Sequence, residues 1–367
     1  MKPFCFALLS LILFVSCHND DENTEKPEVE EELYFPPLTG NDWENISTES
    51  LGWNIEAQAE LFNYLETHNT RAFILLKDGK IVIEKYWGDN ILGTSDFDRD
   101  TNWYWASAGK TLSATLTGIA QEEGVLNIND KTSDYLGSGW TSLSAEKENL
   151  ITIKNQLSMT TGLDYEVNDL NCTLPSCLAY KADAGTQWYY HNAPYTLLSE
   201  VISQATQMDY NQYTDDKLES KIGMDGQWIQ NGYNNVYWST PRAMARFGLL
   251  MLNQGVWAGT PVLSSLDYFN DMTTSSQNLN PSYGYLWWLN GKNSIVFPSV
   301  DFSFNMALAD NAPADLIAGM GKNGQYVECI PSKNMVVVRM GEAPNNDLVP
   351  IQFHNDMWLK ISAMIQD

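Results

Sequence analysis

Ser107-Ala108-Gly109-Lys110 sets a hydroxyl and an amine three residues apart. If the segment opens a helix, the two side chains share a face and the ammonium reaches the hydroxyl oxygen. A helix N-terminus also offers unpaired N–H groups and positive partial charge, which stabilise a developing oxyanion. An amine can activate a serine in place of histidine when burial or neighbouring positive charge depresses its pKa. The spacing alone is common: Ser144-Ala145-Glu146-Lys147 repeats it, but in a polar stretch with no aromatic run before it and no amphipathic helix after. Context selects Ser107, which follows Trp105-Ala106.

Two further clusters join it. Tyr190-His191-Asn192 opens an apolar helical pattern from Ala193 to Ala205. A phenol there can relay protons, and a side-chain amide can hold a lysine and hydrogen-bond a substrate amide. Late in the chain, Lys322-Asn323-Gly324-Gln325 leads into an apolar run. Lys322 would supply a cation for the substrate or the tyrosinate, and Gly324 would let the strand backbone approach an acyl group. His191 reads as a packing residue between two motif positions, and Trp103, Trp105, Trp188, Trp287 and Trp288 read as core or lobe-interface residues. Asn171 heads a glycosylation sequon, read here as idle.

The elements that must position these groups follow from periodicity. Asn54 to Thr67 carries Ile55, Ala59, Phe62 and Leu65 at helical spacing. Two apolar runs, 72–76 and 81–87, flank Lys77-Asp78-Gly79-Lys80, an Asp-Gly hairpin signal. The helix carrying Ser107 and Lys110 places Leu112, Leu116, Ile119 and Ala120 on one face and stops at Gly124. Helical patterns recur at Thr152–Met159 and from Pro241 to Gly255; strand character returns at 283–289, 325–330 and 335–340, before a closing helix through Phe353, Met357, Ile361 and Met364. This order predicts an α+β fold with one antiparallel sheet from both chain ends (about 50–124 and 260–367) and a mostly helical lobe (about 125–259) packed against it. The cleft between them is the expected substrate site.

At this point the chain resembles the serine hydrolase superfamily of class C β-lactamases, D,D-peptidases, related esterases and 6-aminohexanoate-dimer hydrolases. The resemblance covers about residues 50–367; it rests on the three motifs and on Leu157–Leu163, Ser239–Gly248, Tyr283–Trp288 and Gly319–Gln325. It implies that Ser107 is the acylated nucleophile, Lys110 its activating partner, and Tyr190 the proton shuttle and base for the deacylating water. It further implies that Asn192 orients the substrate and that Lys322 keeps Tyr190 acidic or meets a substrate carboxylate. The oxyanion hole would be the backbone N–H groups of Ser107 and Gln325. Asn323 stands where lactamases often carry Thr or Ser, which argues against strong lactamase activity. The expected function is an acyl-enzyme serine hydrolase of a small ester or amide, needing no cofactor or metal. D,D-peptidase, weak β-lactamase and a non-catalytic penicillin- or peptide-binding receptor are the alternatives.

Composition sets the surroundings. The 367 residues carry 21 Lys plus Arg against 46 Asp plus Glu, a formal charge of −25 that would repel a phosphate backbone and makes nucleic acid an unlikely partner. Eight acids and one lysine crowd residues 18–36, leaving −19 for residues 37–367. Lys2 precedes an apolar run ending Val15-Ser16-Cys17, too short to span a membrane, which reads as a secretory signal. Cys17 makes it look like a lipoprotein signal, with 1–17 removed up to the lipidated Cys17 and 18–49 an acidic tether. The expected location is therefore outside the cytoplasm, lipid-anchored, facing periplasm or cell surface. In that oxidising setting Cys172 and Cys177 are disulfide candidates across a Pro175 turn, and Cys329 is a buried thiol. His68, His191 and His354 lie at no ligand spacing to a cysteine pair, so zinc is not expected.

Overall fold

The computed structural model describes Met1, residues 33–347 and residues 349–366. The leader, Cys17 and the tether as far as residue 32 lie outside the described residues. Leu33–Asp367 forms one compact unit.

Helix α1 (Ile55–Thr67) starts at Asn54, whose side chain accepts from the backbone N–H groups of Glu56 and Ala57. Strands β1 (Thr70–Lys77) and β2 (Lys80–Tyr86) form the hairpin. Asp78 and Gly79 both take positive φ, 51° and 81°, the conformation that suits a tight hairpin turn. Only glycine fits at 79, because a Cβ there would stand 1.9 Å from the Tyr34 carbonyl oxygen.

The remaining strands are β3 (Trp103–Tyr104), β4 (Gly226–Asn231), β5 (Asn234–Ser239), the short pair β6 (Val256–Trp257) and β7 (Thr260–Pro261), β8 (Trp288–Leu289), β9 (Ile317–Gly321), β10 (Gln325–Ile330) and β11 (Met335–Gly341). The main sheet is antiparallel in the order β2-β1-β11-β10-β9-β8, so both chain ends build it, as the element order predicts. Alternation along β10 assigns its faces. Tyr326 and Glu328 meet the closing helix Ile351–Ile365, where Glu328 binds the imidazole of His354 and accepts from Trp358 Nε1 at 3.0 Å. Val327 and Cys329 face the helix Pro241–Leu252; the Cys329 thiol lies 3.2 Å from the Gly248 carbonyl. Buried carboxylate and thiol thus each find a partner on their own side of the sheet.

Helix α2 (Lys110–Glu122) is the central helix: every residue from Lys110 to Ala120 is buried. It therefore carries a lysine into the interior, a cost that the site uses.

Four features differ from the sequence expectation. Residues 33–49 belong to the folded unit rather than to a tether reaching 49. Trp43 is buried and donates to the Gly79 carbonyl at 2.8 Å, Tyr34 N–H donates to Asp78, and Arg246 donates to the Pro37 carbonyl. Aromatic side chains anchor this segment despite its polar setting. The helix Pro241–Leu252 packs on β10 and β11, not in the helical lobe, because Gly248 lets it approach Val336 and Val327. The middle of the chain also contains a three-stranded sheet, β3-β5-β4, whose mixed polar strands gave no periodic signal. Within 283–289 only Trp288–Leu289 is strand, since Leu286 at φ 61° turns the chain.

Candidate active site

The strand before Ser107 is pinned on both sides. Trp105 donates its backbone N–H to the Tyr237 carbonyl at 2.8 Å and its indole N–H to Ser239 Oγ at 2.7 Å, and the Trp103 indole reaches the Gly341 carbonyl at 3.2 Å. Ala106 then adopts φ 48°, an uncommon conformation for a residue with a side chain, and begins a tight turn, Ala106–Gly109, that runs into α2. This bend leaves Ser107 partly exposed while Lys110, one turn on, is buried.

Lys110 Nζ donates to Ser107 Oγ at 2.9 Å and to Asn192 Oδ1 at 2.9 Å. Its ammonium also lies 4.0 Å from the ring centre of Tyr195 and 4.9 Å from that of Tyr190. No carboxylate pairs with it among the described hydrogen bonds and salt bridges. Burial alone pushes its pKa down, to about 7. The amine is therefore poised to exchange a proton with Ser107 near neutral pH.

Tyr190 is buried against an aromatic wall: Trp288 stacks on it at 5.8 Å and Tyr283 meets its edge at 6.2 Å. Burial pushes the phenol pKa well up, and a hydrogen bond with Ser107 pulls it partly back. Tyr190 is thus protonated at neutral pH and sits beside Ser107. His191 is buried, and desolvation pushes it down to about 4, against an upward pull from Asp164, so its ring is neutral. Asn192 opens the short helix Asn192–Thr196, and its amide nitrogen donates to Asn171 Oδ1 at 2.9 Å. Sequence reasoning assigned Asn171 no part in the site and missed Tyr195 and Tyr283. Tyr195 follows Asn192 by three residues on the same short helix, a spacing that could have marked it, whereas Asn171 and Tyr283 come from other parts of the chain.

The late motif sits differently from its expected place. Strand β9 packs closely on the serine turn: a Cβ on Gly321 would lie 2.5 Å from the Trp105 carbonyl oxygen and 3.0 Å from the Ala108 nitrogen. Gln325 pairs with Gly321 across the β9–β10 ladder, and its side chain is locked to β11, donating to the Gly341 carbonyl at 2.6 Å and accepting from the Gly341 N–H at 3.0 Å. Gln325, the residue expected to donate to an oxyanion, thus sits on β10 with its side chain turned to β11, while Gly321 at the end of β9 packs on the serine turn.

Lys322 is exposed in the turn between the strands and contributes nothing to the Tyr190 shift, so its expected influence on the phenol has no support here. Asn323, at φ 65°, donates to the Tyr104 hydroxyl at 2.8 Å. Arg339 holds this turn from below. Fully buried, it donates to the carbonyls of Asn323 (2.6 Å), Gly324 (2.9 Å), His68 (2.9 Å) and Glu342 (3.1 Å) and to Thr70 Oγ1 (3.1 Å). Gly324 is thus a structural partner of Arg339 rather than a wall of the site.

Cys172 and Cys177 form a disulfide, closing the loop that follows Asn171, with Cα atoms 5.9 Å apart; Cys329 is a buried free thiol. Among the described residues no group of three or more His, Cys, Asp or Glu side chains gathers in a metal-binding arrangement.

Residues 65–349 match the Beta-lactamase family. The chain belongs to that family. Its similarity to "Putative penicillin-binding protein PbpX" of Bacillus subtilis (strain 168) is 25% identity over 185 residues, 46% of this chain and 44% of that protein. The match thus spans less than half of that relative. Among solved structures, "Putative 6-aminohexanoate-dimer hydrolase from Bacillus anthracis" superposes with a TM-score of 0.68 at 16% identity, covering 90% of both chains. A family VIII carboxylesterase gives 0.63 at 13% identity, covering 89% of this chain and 99% of that one. These two show the shared α+β fold of the family.

Proposed function

We propose that this chain is a serine hydrolase that opens a small ester or amide through an acyl-enzyme on Ser107. The observation that carries the reading is the 2.9 Å contact between Ser107 Oγ and a lysine amine whose pKa burial has brought down to about 7. In its neutral form Lys110 takes the Ser107 proton as Oγ attacks the substrate carbonyl. The oxyanion forms between the Ser107 N–H and the end of β9. Tyr190, protonated and hydrogen-bonded to Ser107, suits proton delivery to the leaving group. Water then enters, loses a proton to the Lys110–Tyr190 pair and cleaves the acyl-enzyme, restoring the serine.

The first base is Lys110 in this reading, because burial favours its neutral form and disfavours the tyrosinate. An exposed Lys322 beyond β9 remains free to meet an anionic part of a substrate. The esterase and aminohexanoate-dimer-hydrolase branch fits better than a strong lactamase, since Asn323 spends its amide on Tyr104 and supplies no small hydroxyl. Export and a lipid anchor at Cys17 complete the proposal, carried by the sequence pattern alone.

The test is a substrate panel with purified wild type and Ser107→Ala: p-nitrophenyl butyrate, nitrocefin, a D-Ala-D-Ala peptide and a linear aminohexanoate dimer. Turnover of the ester or linear amide that disappears in Ser107→Ala supports the reading. Equal rates in the two proteins overturn it.

A further inference from the structure

Asn192 has a choice that the chemistry depends on. Its amide is nearly symmetric in shape, but only Oδ1 can accept from Lys110; turned over, it would present N–H groups to the ammonium. Lys110 cannot fix this orientation, because when neutral it can accept as well as donate. What fixes it lies on the far side, where Asn192 Nδ2 donates to Asn171 Oδ1 at 2.9 Å.

Asn171 is itself held in one rotamer. Its own Nδ2 and its backbone N–H both donate to Asp169 Oδ1 at 2.9 Å, so only Oδ1 remains to face Asn192. The backbone docks there too: Ala193 N–H donates to the Leu170 carbonyl at 2.9 Å. The next residue is Cys172, buried and joined to Cys177 across a short turn, Pro175–Cys177. A loop otherwise rich in exposed residues is thus closed immediately beside the amide that orients Asn192.

We propose that Asn171, held by the Cys172–Cys177 loop, is a positioning residue that acts through Asn192 to aim the amide oxygen at Lys110 and so sets the proton affinity of the Ser107–Lys110 pair. The proposal rests on the serine-hydrolase reading of the site. The polar and titratable groups facing Lys110 are Ser107 from its own turn and Tyr190, Asn192 and Tyr195 from the opposing helix and its lead-in. Asn171 is the polar contact on the far side of Asn192.

The experiment measures the rate of Ser107 labelling by a fluorophosphonate probe across about pH 6 to 9, for wild type, Asn171→Ala and Asn171→Asp. Each protein is also melted to confirm that it is folded. Losing the acceptor lets Asn192 turn over, so Asn171→Ala should label about three- to tenfold more slowly at the plateau, with its midpoint moved to lower pH. Asn171→Asp keeps an acceptor for Asn192 and adds negative charge while losing the donor to Asp169, so it should move the midpoint to higher pH, opposite to Asn171→Ala. A merely structural residue would lower the melting temperature without moving the midpoint in opposite directions. Dithiothreitol adds a second arm: its two thiols give two electrons to the Cys172–Cys177 bond, leaving two cysteine thiols and the cyclic disulfide of the reagent. Reduced wild type should shift toward the Asn171→Ala profile, and Asn171→Ala itself should shift less. Labelled variants with the wild-type midpoint, or equal shifts on reduction, overturn the proposal and leave the hydrolase reading standing. Wild type that takes no label on Ser107 overturns both.

Discussion

Replacing Lys110 by methionine should remove activity while making the protein more stable at neutral pH. Lys110 is 2% exposed, and burial moves its pKa from 10.5 to about 7. A lysine whose folded pKa lies below its unfolded one binds fewer protons in the fold, so stability rises with pH between the two values. At about 1.4 kcal/mol per unit, the penalty for holding this amine inside is ~4 kcal/mol at pH 7 and falls to ~2 kcal/mol at pH 9. The hydrogen bonds to Ser107 and Asn192 offset part of it, by about 1 kcal/mol each, but with little dependence on pH. Urea unfolding of wild type and Lys110→Met at pH 7, 8 and 9 isolates the lysine, because every other titrating group is common to both proteins. The stability advantage of Lys110→Met should shrink by about 2 kcal/mol from pH 7 to pH 9. A gap that stays constant over that range would show that Lys110 is not desolvated in the fold, and the assignment of Lys110 as a neutral base would lose its physical basis.

Other outcomes follow from the same geometry. The acylation rate should rise with pH through a midpoint of about 7 as Lys110 loses its proton, read from the pre-steady-state burst with p-nitrophenyl butyrate. Tyr190→Phe should lower kcat by about 10²- to 10⁴-fold while leaving the melting temperature close to wild type, because the stack on Trp288 survives. Gly321→Ala should abolish labelling of Ser107 and lower stability, since the added methyl would meet the Trp105 carbonyl oxygen at 2.5 Å; an active variant would remove β9 from the site. Arg339→Met should cost about 3–5 kcal/mol in urea unfolding, because it strips the buried donors from four backbone carbonyls and one hydroxyl.

The contact between Ser107 and Lys110 was legible because the two lie three residues apart across the turn that opens α2, where spacing translates directly into contact. The sheet was legible for a related reason: β1, β10 and β11 are apolar runs bounded by turns, and their burial on both faces is what such runs predict. Long-range pairings were less so. Gln325 follows a Lys-x-Gly, yet the ladder seats it on β10 with its side chain bonded to β11, whereas Gly321 of β9 packs on the serine turn, a distinction that no local pattern carries. Asn171 was visible only as a sequon, because its contact with Asn192 bridges 21 residues of irregular chain. Tyr34 and Trp43 were hidden in the same way: polar, proline-marked sequence around them signals a tether, and only their seats on the hairpin and beneath Arg246 show otherwise. The hairpin of β4 and β5 alternates too weakly to announce itself, since β4 buries only Trp228.

The most direct test of the account is the covalent intermediate itself. Wild type is mixed with p-nitrophenyl butyrate, quenched in acid within the burst and digested, and the peptide carrying Ser107 is examined by mass spectrometry. The account predicts a butyryl group on Ser107 that builds up within the burst and decays with turnover, is absent in Ser107→Ala and forms far more slowly in Lys110→Met. Ester turnover with no acyl group on Ser107, or the same adduct on another residue, would contradict it.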